Sequence, residues 1–340
     1  MLTFAIRRIL MAIPTLIFIS FVLFMLLEAA PGDPLADMPL TIPPEVREKI
    51  RLAMGLGEPW YIRYMLWLNN FFITEPLNWI DSSWGTTFAE GRQRILSYQT
   101  RSPVFDTIGE RLPQTLTVVG TGMTIGILLA IPIGVISAYK QYSWFDQIGT
   151  FVSMIGFSVP TFVTGVVLIV LFSVWIPNDS PFWLPTIYDT TLKVTDWASF
   201  KLQARQMVLP AIVLALFYAA QISRYMRSSM LDNLGQDYVR TARAKGMSEK
   251  VVVLVHVLRN SMIPVVTVIT LLIPGVFTGA IITETIFKVN GVGQQLLLSL
   301  QGNDAPMVLT ITFIFAVLIV SFNLVADILY GLLDPRIRYD

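Results

Sequence analysis

Few side chains in this chain are equipped for chemistry. There is no cysteine, which removes disulfides, thiolate nucleophiles and thiolate metal sites. The single histidine, His256, has neither a thiolate nor a second imidazole with which to share a metal, so its expected role is to support the loop around it. No G-x-x-x-x-G-K-[ST] sequence occurs, and the chain therefore has no loop of that kind for the phosphates of a nucleotide. What remains is three carboxylates flanking apolar runs, Glu28, Glu284 and Asp327, and one basic stretch, Arg224 to Arg259, with seven Lys or Arg and three acidic side chains.

The elements that must position these residues are set by composition. Hydrophobic residues make up 54% of 340 positions and charged residues 14%, and the mean hydropathy is +0.64, outside the range of soluble domains. The net charge of +1 carries no message by itself, since the placement of charge along the chain matters more than its sum, and nucleic acid is not an implied partner. Crossing a bilayer takes roughly 20 apolar residues in a helix, because each residue rises about 1.5 Å and lipid cannot satisfy a bare backbone. Six uncharged runs reach 18 residues: Ile9–Leu27, Leu112–Tyr139, Gln147–Asn178, Gln206–Ser223, Asn260–Thr283 and Ala305–Ala326. The first follows Arg7 and Arg8 like a signal peptide, but its 19 residues and the lack of a small-residue cleavage site mark a retained span. An all-α integral membrane protein of six spans is expected.

Lys and Arg in short connections set the orientation. With the amino terminus inside, the inner segments hold Arg7, Arg8, Lys140, the seven of the basic stretch, Arg336 and Arg338, twelve in all. The short outer connections hold four, Lys193, Lys201, Arg205 and Lys288. Both termini are expected in the cytoplasm. The chain then divides into an N-terminal span (1–30), a long external loop (31–111) and a core of five spans (112–340) carrying the basic stretch 224–259. The external loop has helix signals over Pro43–Leu56 and an aromatic-rich segment, Trp60–Phe72. Trp60, Trp67, Trp79 and Trp84 read as interface anchors. Pro132, Pro160, Pro210, Pro264 and Pro274 lie in or at the ends of spans, where they either kink helices around a pathway or simply bend them.

Within the basic stretch, Asp237-Tyr238-Val239-Arg240-Thr241-Ala242-Arg243-Ala244-Lys245-Gly246 reads as a short helix. Asp237 is expected to cap its start, Gly246 to end it with a left-handed turn, and Ser248 to cap a second helix running towards His256. Small side chains at Thr241, Ala242 and Ala244 permit close approach of a partner, while Arg240, Arg243 and Lys245 offer charge. On composition the segment is either a projection that inserts into a groove or a solvated basic loop.

The segment resembles the EAA loop of binding-protein-dependent ABC importer permeases. Together with His256-x-x-Arg-Asn260 and Ile263-Pro264 it resembles the dipeptide, oligopeptide and nickel branch. Arg7-Arg8 with Pro14-Thr15, Ala30-Pro-Gly-Asp-Pro34, Glu110-Arg-Leu-Pro113 with Thr115-Leu116, Glu284-Thr-Ile-Phe287 and Asp334-Pro-Arg-Ile-Arg338 match that branch in order, nearly end to end. Arg240 stands where the general motif has glutamate, as is usual for the branch. Asn290 replaces its usual proline, and Phe182–Gln206 is longer than the branch leads one to expect.

The resemblance implies the type I importer permease fold and half of a translocation pathway, most readily for di- or oligopeptides. It also implies a second, different permease chain, two cytoplasmic ATPase subunits carrying ATP and Mg, and an external solute-binding protein, all at a bacterial or archaeal cytoplasmic membrane. Residues 237–246 would form the coupling helix; this chain would bind no cofactor and catalyse nothing. Pathway residues are expected among Tyr218, Gln221, Thr278, Thr283 and Glu284, with Ser223 nearby. An ionisable residue at a membrane edge is a functional suspect, and Glu284 leads; Glu28 and Asp327 read as interface or packing residues. An ion-coupled transporter acting alone would call for paired carboxylates in mid-span, which the six runs lack. A membrane-embedded Ser-His protease would need His256 inside a run, and it lies outside.

Overall fold

Backbone buried in hydrocarbon must bond to itself, and helices are the regular structure found throughout the described residues. The computed structural model describes residues 2–30, 35, 43–189, 192, 194–278 and 280–333, without the side chains of 2–5, 53, 278 and 330–333. Most of Ala30–Pro34, the whole of Asp334–Arg338, and Lys193 lie outside the described residues. The helices are α1 (Leu2–Ala29), α2 (Pro44–Ala53), α3 (Trp60–Asn69), α4 (Glu75–Trp84), α5 (Val104–Tyr139), α6 (Trp144–Ser158) and α7 (Thr161–Ile169). They continue with α8 (Trp197–Leu234), α9 (Asp237–Ala244), α10 (Glu249–Val251), α11 (Leu258–Thr278), α12 (Ile281–Phe287), α13 (Val292–Gln301) and α14 (Ala305–Leu333). A π-helical stretch, Val252–Val257, joins α10 to α11 without a break.

Five helices are long and apolar enough to cross a membrane: α1, α5, α8, the run from α10 through α11, and α14. The expected third span, Gln147–Asn178, is not one straight helix. It is divided into α6 and α7, whose axes meet at 102°. Proline makes the break: Val159, immediately before Pro160, is extended at φ −78° and ψ 124°, the conformation that the proline ring forces on its predecessor. Pro132, Pro210, Pro264 and Pro274 lie within unbroken helices.

The chain forms two compact units, residues 1–8, 114–294 and 319–340 in the first and residues 9–113 and 295–318 in the second. The first is organised on α8, against which α6, α7, α11 and α12 pack. Asp196 starts α8 with a capping box, accepting from the Ser199 amide at 2.7 Å, and this bond holds the Asp196 carboxyl below the ordinary range. Leu209, Val213, Ile222, Met226 and Met230 are buried along its length. Lipid is as apolar as these side chains, so close packing rather than escape from water must hold the helices together.

Glycines provide that packing. A Cβ at Gly122 would lie 2.5 Å from the Leu214 Cβ, one at Gly126 2.7 Å from that of Tyr218, and one at Gly134 2.6 Å from that of Met226. The pairing advances by equal steps along α5 and α8, so the two helices run parallel. If both cross the membrane in the same direction, the segment between them must return to the side on which α5 began. That makes the bent α6–α7 pair a crossing rather than a shallow loop.

In the second unit Trp67 is 7% exposed, packs edge-on against Phe313 with ring centroids 5.3 Å apart, and donates its indole N–H to Thr310 Oγ1 at 3.3 Å. Phe71 joins the cluster, 4.9 Å from Phe313. Trp67 is therefore a core residue rather than an interface anchor, whereas Trp60, Trp79 and Trp84 are exposed. Arg94 bridges Glu75 and Asp106, each at 2.8 Å, and the Asp106 hydrogen bonds, with those to Glu75, hold its guanidinium pKa above the ordinary range. Asp304 accepts from the Tyr98 amide at 2.9 Å and from the Ser97 hydroxyl.

Gly126→Val should drive side-chain atoms into Tyr218 and the Ala215 carbonyl and cost about 1–3 kcal/mol by overpacking. Thermal unfolding in detergent should show a lowered midpoint, while Gly109→Ala, inside the same helix and with a Cβ that would meet nothing within 4 Å, should leave it no lower than in the unmodified chain.

Candidate functional site

Helix α9 is short, and its sequence divides it into two faces. Val239 and Ala242 are buried, packed in the core that includes Val252, Val253 and Val257 of the π-helical stretch. Asp237, Arg240, Thr241, Ala244 and Lys245 are exposed, and their spacing of three and four residues puts them in one stripe. Ala242, expected among the small residues open to a partner, instead belongs to the inner face.

Both ends of α9 are tight turns. Its N-cap is Gln236, whose side chain makes no capping bond, and Asp237 is the first helical residue rather than the cap; the Asp237 carboxylate still lies in the first turn, where the helix dipole favours a negative charge. Lys245 is the C-cap and Gly246 follows at φ +75°, with its amide donating to the Arg243 carbonyl at 2.9 Å. Gly246 thus takes the left-handed conformation, and no neighbour lies within 4 Å of where its Cβ would be, so the constraint on it is purely one of backbone. Ser248 is the N-cap of α10 by backbone position, without a side-chain cap bond.

Arg243 spans the turn, donating to Glu249 through Nη2 at 2.7 Å and Nε at 3.2 Å. This forked pair raises the Arg243 pKa above its ordinary value, chiefly through the Glu249 hydrogen bond. The Tyr238 hydroxyl donates to Asn233 Oδ1 at 2.9 Å, tying α9 back to the end of α8.

The base beneath this projection is cross-braced by polar bonds that the sequence reading did not find. Ser229 Oγ donates to the Ser261 carbonyl at 2.9 Å and Ser261 Oγ to the Ser229 carbonyl at 3.2 Å, a reciprocal clasp between α8 and α11. Asp146, in the first turn of α6, receives Arg227 Nε at 2.6 Å and Nη2 at 2.8 Å. Its side chain is 4% exposed. The only signal for this pair was that Asp146 ends an uncharged run, and its partner is 81 residues away.

Glu284 is fully buried. Its carboxylate accepts from Thr115 Oγ1 at 2.9 Å and the Gln294 amide at 2.8 Å, and Thr115 Oγ1 in turn accepts from the Val292 amide at 2.8 Å. It therefore closes the start of α13 and ties α12 to α5. A Cβ at Gly291 would lie 2.5 Å from the carboxylate, so glycine is required there. Burial raises the Glu284 pKa, against the opposing pull of its donors. In this conformation Glu284 offers no surface to a solute. Tyr218 and Thr283 are also buried, the side chain of Thr278 lies outside the described residues, and Gln221 is half-buried. His256 is half-buried within the π-helical stretch. Arg8 pairs with Asp327 at 3.1 Å and Arg63 with Glu28, so these edge carboxylates have packing partners.

Comparison with known proteins decides the family. Residues 130–339 match the model of the binding-protein-dependent transport system inner membrane component, and residues 1–119 match its N-terminal membrane component model. The chain belongs to this permease family. It is 38% identical over 343 residues to the oligopeptide transport system permease protein AppB of Bacillus subtilis, with all of both chains covered. It is 35% identical over 356 residues to the dipeptide transport system permease protein DppB of Escherichia coli, covering 100% of this chain and 99% of that one. The permease is thus a multi-pass, non-catalytic membrane subunit of the type I importer fold, and it works with partner subunits.

Removing Arg227 would leave a buried carboxylate without its cation. Arg227→Ala should cost the permease about 3 kcal/mol, at the low end for stranding a buried charge. The double variant Asp146→Asn/Arg227→Gln should recover part of that loss in the same unfolding measurement.

Proposed function

We propose that this permease forms half of the translocation pathway for short peptides and that α9 is the element through which separate ATPase subunits move it. The transport of oligopeptides and dipeptides for which AppB and DppB are named supports the substrate class. One observation carries the coupling role: α9 presents an exposed stripe, from Asp237 to Lys245, on a base braced by Asp146–Arg227 and Ser229–Ser261. A solvated loop would need no such bracing. A helix seated in a groove on a motor subunit, and fixed to α8 and α11 behind it, would carry those helices along when the motor closes.

The complete assembly in this reading holds a second, different permease chain, two cytoplasmic ATPase subunits binding ATP and Mg, and an external solute-binding protein. Both termini and α9 face the cytoplasm, in keeping with the twelve-to-four distribution of Lys and Arg. Glu284 holds the turn between α12 and α13 rather than touching the solute. Gln221, which keeps partial exposure, is the pathway candidate on α8.

The purified chain alone should neither hydrolyse ATP nor move peptide, and reconstitution with its partner permease, ATPases and binding protein should restore both. In that assembly Gly246→Val should impose about 1–2 kcal/mol on a left-handed turn, a factor of about 5–30 in the population of the ordered turn. Peptide uptake should fall accordingly while membrane insertion is normal. Uptake equal to the unmodified complex would remove the mechanical role given to the turn, and uptake by the lone chain under a proton or sodium gradient would overturn the importer reading.

A further inference from the structure

The second unit contains a cavity of about 930 Å³ that the transport reading does not use. Its wall changes character with the element that supplies it. Phe24 and Leu27 come from the last turns of α1, and Leu309 comes from the second turn of α14, two helices long and apolar enough to cross a membrane. Arg51, Arg63 and Arg101 come from the segment between α1 and α5, which also contributes apolar Leu52, Leu56 and Leu66. The lining is thus apolar from several elements, while all four of its arginines come from one segment.

The charges do not cancel locally. Four arginines line the cavity against two glutamates, Glu28 and Glu58. Glu28 is taken by Arg63, and Arg94 is taken by Glu75 and Asp106. Arg51 and Arg101 are exposed and have no carboxylate partner among the described residues. Arg63 supplies an independent observation. Although it holds Glu28, its Nε is buried and makes no hydrogen bond among the described residues, a state that buried donors rarely keep. Glu58, exposed and without an ion-pair partner among the described residues, offsets one of the two arginines Arg51 and Arg101, which leaves the lining net positive.

We propose that this cavity seats an anionic phospholipid, with its phosphodiester among Arg51, Arg63 and Arg101 and the upper part of an acyl chain against Phe24, Leu27 and Leu309. Basic pockets beside spanning helices bind such headgroups because the guanidinium fork matches phosphate oxygens while the adjoining apolar surface accepts the chain. Bound there, the lipid would join the ends of α1 and α14 to the segment between α1 and α5.

The test uses the full-length chain in mild detergent, with native mass spectrometry of added phosphatidylglycerol, phosphatidylcholine, glycerol 3-phosphate and the dipeptide Ala-Ala. Phosphatidylglycerol should bind more tightly than phosphatidylcholine. Arg51→Gln/Arg101→Gln, which alters two exposed side chains, should weaken phosphatidylglycerol about 30-fold with helicity unchanged by circular dichroism. A photoactivatable acyl chain on phosphatidylglycerol should label residues 24–27 or 305–309. Equal binding of the two lipids, undiminished binding by the double variant, or labelling elsewhere would overturn the proposal. Displacement of the lipid by glycerol 3-phosphate would show a simple anion site instead, and displacement by Ala-Ala a peptide site. None of these readouts involves transport, so failure here is separate from failure of the importer reading.

Discussion

The close parallel approach of α5 and α8 is the contact on which the rest of the first unit depends. Apolar burial contributes little between helices already surrounded by lipid, and the association must come from dispersion at short range. Gly122, Gly126 and Gly134 allow it by leaving α5 without side chains where Leu214, Tyr218 and Met226 of α8 press in. Because the pair is parallel, the intervening segment has to recross the membrane, and the 102° break at Pro160 must be accommodated within that crossing. Packing of α6, α7, α11 and α12 on α8 then follows from a helix whose position is already set.

Polar bonds do a different job from the glycines. They are few and sit where one element must not slide on another: Asp146 with Arg227 between α6 and α8, Ser229 with Ser261 between α8 and α11, and Glu284 with Thr115 and Gln294 between α12, α5 and α13. In each case buried polar groups are satisfied by specific donors and acceptors at fixed geometry, which adds directionality that van der Waals packing lacks. The projection formed by α9 needs this. A helix of eight residues is too short to be stable alone, and α9 is held by Val239 and Ala242 in the core, the Arg243–Glu249 fork and the left-handed Gly246.

Much of this was legible in the residues, for identifiable reasons. Long uncharged runs can be counted because the thickness of hydrocarbon imposes a minimum length, and the helix at 237–244 announced itself by Gly246 at its end. Trp67 was misread because an aromatic side chain near an apolar run looks the same whether it meets lipid headgroups or Phe313; only the fold places that partner, 246 positions away, beside it. The surroundings of Glu284 are hidden from the sequence for a related reason. A carboxylate at a membrane edge is suspicious until its donors are known, and its donors come from residue 115 and from the start of the next helix.

The sequence by itself determined that the chain lives in a membrane, roughly how often it crosses, and the family to which it belongs. These properties depend on residues near one another in the chain: run length, charge in short connections, a turn with its glycine. Tertiary structure alone decided that Asp146 would find Arg227, that α5 and α8 run side by side in the same direction, that Ala242 turns inward, and that arginines gather above the apolar ends of two spans. Those are pairings across tens to hundreds of residues, and no local pattern of residue types specifies which distant partner will fill a given space.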